Sequence, residues 1–136
     1  MLASANITLE RLLRFDALLC TGMGLLLLLA GGPLGELFGL PVALLRAIGV
    51  GLLPWALVVW RLARGYEAAP LRAWIVIVGN AVWGLASGVL LLRGWFDPST
   101  PGALFIALQA LAVAALAFAQ ARAIARSHDV RQPTIT

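Results

Sequence analysis

Four apolar stretches of about 20 residues each dominate this chain and restrict what it can fold into. They cover approximately residues 8–30, 41–64, 71–92 and 103–125. An α-helix of about 20 residues spans the hydrocarbon core of a bilayer. It also satisfies its own backbone hydrogen bonds in lipid, where no water is available. The sequence therefore predicts an all-α, membrane-embedded four-helix bundle, formed by one domain over residues 1–136.

The composition supports lipid as the main surroundings of the chain. Of its 136 residues, 62% are hydrophobic and only 12% are charged, which is too few to cover a surface in water. The net charge is +4, and all ten basic residues are arginine. These arginines lie at the ends of the apolar stretches, without the interleaved aromatic residues of a nucleic-acid surface. We expect the bilayer as a partner and no nucleic acid.

The segments between the apolar stretches are rich in turn residues. Residues 31–40 contain too much glycine for a continuous helix, and we expect them to dip into the membrane interface. Residues 94–102 carry the strongest turn signal, and residues 127–136 are predicted to form a polar cytoplasmic tail. A similarity between residues 16–25 and 80–89 adds the hypothesis of two tandem helical hairpins.

The arginines also predict the orientation, because short arginine-rich connections stay in the cytoplasm. Eight arginines fall on one side of the predicted helices: Arg11, Arg14, Arg61, Arg64, Arg72, Arg122, Arg126 and Arg131. Only Arg46 and Arg93 fall on the other side. Both termini are therefore predicted to be cytoplasmic. The use of arginine without lysine, beside abundant Ala, Leu and Gly, is typical of GC-rich bacterial genomes, so the expected location is a bacterial inner membrane.

Asp16 is the most unusual residue in the apolar stretches. It lies about 20 Å from the far end of the first helix, within the membrane, where an ionisable side chain is costly. One hypothesis is a site for a proton or a cation. The favoured alternative is a structural ion pair with Arg14, or with Arg11, near the cytoplasmic surface.

Arg46 and Glu36 form a second candidate site, on the other side of the predicted bundle. Glu36 precedes the second helix and Arg46 lies about one turn inside it, so a structural ion pair is the favoured interpretation. Alternatively, the planar guanidinium of Arg46 could bind a lipid phosphate or another anion.

A ligand pocket is a third hypothesis. Pro54 is expected to kink the second helix and to open space beside Trp55. Trp83, Asn80 and Gln109 could add an aromatic wall and polar groups to that space, as in a site for a lipid-like ligand. Plain packing, with a contact between Asn80 and Gln109, is the favoured alternative.

Small residues on the third helix predict a packing surface. Gly84, Ser87 and Gly88 share one face, which would let a neighbouring helix approach closely. That neighbour could be the fourth helix or a second copy of the protein. We expect this face to mediate association.

The sequence offers little for enzymatic chemistry. Cys20 is the only cysteine and His128 the only histidine, and no catalytic or metal-ligating motif connects them. We expect no enzyme activity, no cofactor and no metal.

The segment Gly32-Pro33-Leu34-Gly35-Glu36-Leu37-Phe38-Gly39-Leu40-Pro41, followed by Leu44-Leu45-Arg46 and later by residues 80–87, resembles small, uncharacterised four-span membrane proteins of bacteria. The resemblance implies the four-helix architecture and no activity. The leading hypothesis is a non-enzymatic subunit that forms a homo-oligomer or accompanies another membrane protein. The alternatives are a small proton- or cation-coupled transporter or channel, and a lipid-binding membrane protein.

Overall fold

The computed structural model describes the backbone of residues 2–65 and 71–129, and the side chains of residues 8–64 and 71–126. The described chain is all-α, which confirms the predicted fold class. Its elements are α1 (Leu2–Leu29), α2 (Gly31–Phe38), α3 (Val42–Gly65), α4 (Leu71–Arg93) and α5 (Thr100–Asp129).

Four of these helices are long and apolar enough to cross a membrane, as in a multi-pass membrane protein. The candidate spans are Thr8–Leu29, Val42–Arg64, Leu71–Arg93 and Thr100–Arg126. Large apolar side chains such as Leu85, Leu111 and Phe118 are mostly exposed on the bundle surface. Such a surface suits lipid, because water would strongly disfavour so much exposed apolar area.

The segment after α1 differs from its prediction, because glycine does not prevent a helix there. α2 covers Gly31–Phe38 and ends at Gly39, whose φ of 65° is left-handed. Gly35 serves close packing, since a Cβ atom there would lie 2.8 Å from the Val42 side chain. At the C-terminus, α5 continues to Asp129, so the predicted tail begins as helix. The remainder of that tail, from 130, lies outside the described residues.

The four long helices pack as two hairpins, α1 with α3 and α4 with α5. α1 also packs along α5, whereas α3 and α4 touch little. Within the first hairpin the backbones meet at two buried glycines. A Cβ atom on Gly49 would lie 2.8 Å from the carbonyl oxygen of Gly24. A Cβ atom on Gly24 would lie 3.2 Å from the carbonyl oxygen of Gly49. Glycine at both positions therefore sets the short distance between α1 and α3.

The loop before α5 joins the two hairpins at one end of the bundle. Ser99 caps α5 by accepting a hydrogen bond from the Gly102 amide, at 3.2 Å. The Ser99 hydroxyl also donates to the Leu37 carbonyl oxygen at 2.6 Å. The Ser99 backbone amide donates to the Phe38 carbonyl oxygen at 2.9 Å. The Phe38 ring stacks on Phe105 with centroids 4.7 Å apart. These contacts connect the α1–α3 hairpin to the α4–α5 hairpin through α2.

Candidate functional site

A buried group of polar side chains lies between the two hairpins, centred on Asp16. The Asp16 side chain is only 3% exposed, Asn80 is 4% exposed and Gln120 is fully buried. Asn80 Nδ2 donates to Asp16 Oδ2 at 2.5 Å, and Gln120 Nε2 donates to the same oxygen at 3.0 Å. These residues belong to α1, α4 and α5 respectively. We refer to Asp16, Asn80 and Gln120 as the polar triad.

Cys20 adds a weaker donor to the polar triad. Its Sγ lies 3.6 Å from Asp16 Oδ1, because residues four apart share one face of a helix. Around these groups the packing is apolar, with Leu13, Ala17 and Ile77 in the same buried cluster. Asp16 therefore accepts hydrogen bonds from neutral donors within an apolar surrounding. A carboxyl group in such a place can bind a proton or a small cation, or can hold helices together.

Arg14 does not pair with Asp16, which corrects the favoured interpretation from the sequence. Arg14 instead forms an ion pair with Glu10, one turn earlier in α1. Residues two apart point to different sides of a helix, so Asp16 is buried while Arg14 is exposed. Among the described side chains, no basic group forms an ion pair with Asp16.

Asn80 and Gln109 are also not partners, because they lie at different depths in the bundle. Asn80 lies in the half of α4 nearer Leu71, whereas Gln109 lies in the half of α5 nearer Thr100. The two helices are antiparallel, so these halves face opposite ends of the bundle. Gln120, on the other half of α5, lies level with Asn80 and was not predicted from the sequence. Counting the depth of every polar residue from the same end of the bundle would have identified it.

Gln109 belongs to a second, separate polar cluster between α4 and α5. Trp83 Nε1 donates to Gln109 Oε1 at 2.9 Å, and Gln109 Nε2 donates to Ser87 Oγ at 2.9 Å. Ser87 Oγ in turn donates to the Trp83 carbonyl oxygen at 2.9 Å. The cluster therefore satisfies its own hydrogen bonds within the hairpin.

The four residues of the predicted ligand pocket are thus divided between different contacts. The Trp55 ring lies against Gly79, where a Cβ atom would come within 2.5 Å of it. Asn80 belongs to the polar triad, whereas Trp83 and Gln109 contact each other. The structure does not bring these four side chains together around one cavity.

An apolar groove of about 500 Å³ runs along the exposed side of α4 and α5. Its lining is made of small residues and a few large ones: Ile77, Ala81, Gly84, Leu85, Ala110, Leu111, Ala114, Ala117, Phe118 and Ala121. We refer to these ten residues as the α4–α5 groove. None of the four predicted pocket residues lines it.

The three residues of the predicted packing face occupy different surroundings. Gly84 lines the α4–α5 groove, and a Cβ atom there would lie 3.4 Å from the Ala110 carbonyl oxygen. Ser87 is buried and bonded to Gln109 within the chain. Gly88 has open space beside it, with nothing within 4 Å of a Cβ position. Only Gly84 thus combines a contact to α5 with access to the groove.

Arg46 and Glu36 are both exposed and do not form the ion pair that the sequence suggested. The Arg46 stem instead packs over Gly31, with Cγ 3.2 Å from the position of a Cβ atom there. The aliphatic stem of Arg46 is thus packed against α2, while the residue as a whole stays exposed. The alternative of an anion site at Arg46 stays a prediction.

The opposite end of the bundle carries most of the charge. Seven exposed arginines lie at the end where α1 and α4 begin: Arg11, Arg14, Arg61, Arg64, Arg72, Arg122 and Arg126. We call this the arginine-rich end. Two of its guanidinium groups lie over one indole ring, with the Cζ atoms of Arg14 and Arg64 at 5.8 Å and 5.7 Å from the Trp60 centroid. Both distances are within the range of cation–π attraction.

Comparison with protein-family models, with curated proteins and with solved structures found no match to this chain.

Proposed function

We propose that this chain is a non-enzymatic membrane subunit that works by self-association within the bilayer. The observation that carries this proposal is the α4–α5 groove, which lies on the surface of the second hairpin. Six of its ten lining residues are alanine or glycine, namely Ala81, Gly84, Ala110, Ala114, Ala117 and Ala121. Small residues let a second helix approach closely, and close packing is a main source of helix association in lipid.

The groove favours a second copy of the same chain as its occupant. Leu85, Leu111 and Phe118 line it and are 71%, 68% and 64% exposed, so each projects from the hairpin. In a twofold dimer the same surface serves both partners. The large side chains of one copy would then fill the space above the small residues of the other copy. A lipid acyl chain is the competing occupant and is an outcome of the test below.

Replacing Gly84 by leucine should dissociate the oligomer, because the new side chain would occupy the groove. The matched control is Gly22→Leu, which makes the same change on α1 at an exposed position with nothing within 4 Å. The measurement is the mass of the detergent-solubilised protein by light scattering. We expect an oligomer for the wild type and for Gly22→Leu, and a single chain for Gly84→Leu.

A monomeric wild type would overturn the proposal and leave lipid as the occupant of the groove. An oligomer that survives Gly84→Leu would place the interface elsewhere. Ala114→Leu fills the same groove from α5 and should also give a single chain. Thermal unfolding of each variant shows whether the hairpin itself has remained intact.

We also propose a bacterial inner membrane, with both termini in the cytoplasm. The arginine-rich end supports this orientation, since seven exposed arginines lie there. At the other end Arg46 and Arg93 are offset by the exposed acids Glu36 and Asp97. Positive charge near helix ends is retained on the cytoplasmic side during insertion.

A second candidate function is proton- or cation-coupled transport, and the polar triad is the observation that favours it. Asp16 is buried within a candidate membrane span, and no described basic side chain pairs with it. Ionisable residues in such positions commonly belong to ion or proton pathways. Four helices enclose little space, so this function also requires the oligomer.

Substituting Asp16→Asn should abolish coupled flux, because the amide has nearly the shape of the carboxyl group but cannot carry its charge. The measurement is proton-driven uptake of a cationic amphiphile into proteoliposomes. Gln109→Leu is the control, since Gln109 lies in the other polar cluster. Absent wild-type flux, or equal flux in wild type and Asp16→Asn, would reject this candidate.

A further inference from the structure

At the arginine-rich end, two arginines from different helices contact the ring of one tryptophan, Trp60. Arg64 follows Trp60 by one turn of α3, while Arg14 reaches the same ring from α1. Two guanidinium groups are thereby gathered on one side chain, from two helices. An anion bound beside this ring would be attracted by both positive charges.

The two arginines are not equivalent. Glu10 forms an ion pair with Arg14 and offsets its charge. Arg64 forms no ion pair with any described acidic side chain, so none of them offsets its positive charge. Its planar guanidinium can donate two parallel hydrogen bonds to a phosphate, an arrangement that a lysine cannot reproduce. Arg64 is therefore the main ligand that this site offers, and Arg14 the second.

An apolar track continues from these arginines toward the middle of the membrane. Leu18 lies one turn beyond Arg14 on α1 and is 60% exposed, and Leu57 lies one turn before Trp60 on α3 and is 50% exposed. α1 and α3 run in opposite directions, so both leucines lie at the deeper side of the indole. A group that binds there meets cationic donors, then an indole, then apolar side chains.

The geometry points to a binding site for an anionic phospholipid at Arg64, Arg14 and Trp60. The Arg64 guanidinium holds the lipid phosphate, Arg14 adds positive charge at the same indole, and an acyl chain lies along Leu18 and Leu57. Paired basic residues at the cytoplasmic side of helices are suited to such headgroups. The site lies on the first hairpin, so it does not depend on the oligomer proposed at the α4–α5 groove.

The test is the ratio of phosphatidylglycerol to a diacylglycerol with the same acyl chains and no phosphate, bound by the whole protein and measured by native mass spectrometry from neutral detergent. Arg64→Gln should lower this ratio about tenfold, the loss expected for one charge-assisted contact. Arg64→Lys should give an intermediate ratio, because lysine keeps the charge without the fork. Arg72→Gln and Arg126→Gln remove exposed arginines from the same end and should leave the ratio at the wild-type value.

Equal losses in Arg64→Gln, Arg72→Gln and Arg126→Gln would overturn the site and leave only diffuse charge attraction. Inorganic phosphate added as a competitor should not displace the lipid, because phosphate lacks the acyl chain. Displacement of the lipid by phosphate at a comparable concentration would overturn the proposal, because it would show that the site binds phosphate without an acyl chain. Gly84→Leu should keep the wild-type ratio, so failure of the oligomer and failure of this site are separable. Unchanged thermal unfolding of Arg64→Gln in lipid-free detergent would exclude a folding defect as the cause.

Discussion

Gly49→Leu is expected to disrupt the fold, at a cost of about 3 kcal/mol or more, the upper range for overpacking a closed interface. A Cβ atom alone would lie 2.8 Å from the Gly24 carbonyl oxygen and 2.9 Å from the Leu28 side chain. Backbone atoms of α1 cannot move aside as a flexible side chain can, so the two helices must separate. The measurement is the midpoint of thermal unfolding in detergent.

Gly51→Leu is the matched control for that experiment. Gly51 lies two residues further along α3, is exposed, and has nothing within 4 Å of a Cβ position. The change in helix propensity is the same at both positions, and leucine is favoured over glycine in a helix. Gly51→Leu should therefore unfold at or above the wild-type temperature. Similar midpoints for the two variants would contradict the close approach of α1 and α3.

The second large effect is expected for Asn80→Leu, because this change leaves Asp16 with one amide donor fewer in an apolar surrounding. Leaving a buried polar group without one of its hydrogen-bond partners typically costs about 1–3 kcal/mol. Hydrogen bonds between neutral groups in membranes contribute less, about 0.6 kcal/mol on average. Gln109→Leu, which breaks the neutral contact to Trp83, should therefore cost less than Asn80→Leu.

A double-mutant cycle with Asp16→Asn tests whether Asn80 stabilises the protein through the Asp16 carboxyl group. Asn80→Leu should cost about 0.5–3 kcal/mol less in the Asp16→Asn background than in the wild type, the range found for directly coupled residues. Gln109→Leu should cost the same in both backgrounds, since Gln109 belongs to the separate cluster with Ser87. The measurement is again the free energy of unfolding in detergent. An additive result for Asp16 and Asn80 would show that the carboxyl group is held by packing alone.

The same cycle bears on the two candidate functions. A strong coupling, together with absent flux, would make the polar triad a structural connection between the hairpins. Asp16 lies on α1, while Asn80 and Gln120 lie on α4 and α5, so the triad joins the hairpins inside the membrane. The contacts of Ser99 with Leu37 and Phe38 join them at the far end.

The fold class and the four long helices were predictable from the sequence, because crossing a bilayer imposes strong and local requirements. Length and apolar character suffice to identify a span, and the predicted stretches end within three residues of the candidate spans. The short helix α2 was missed for a local reason. Glycine lowers helix propensity, but Gly31 and Gly35 are helical here because they let Arg46 and Val42 pack closely.

The partners of the polar side chains were decided by the tertiary structure. The apolar stretches indicate that Asp16 is unusual, but not that Gln120 meets it from 104 residues away. That contact depends on α5 packing against α1, with its C-terminal half at the depth of Asp16. Likewise, Gly84 and Gly88 look equivalent by spacing, and only the packing of α4 on α5 distinguishes them.

What the sequence determined by itself was thus the solvent of this protein and the number of its spans, since the hydrophobic free energy of each helix depends on that helix alone. Pairing of the helices depends on shape and on hydrogen bonds between distant residues, and lipid offers little hydrophobic driving force to select one arrangement over another. Gly24 and Gly49, the polar triad and the two arginines on Trp60 are contacts of this second kind. These contacts form only when the helices pack side by side, so they depend on the tertiary structure.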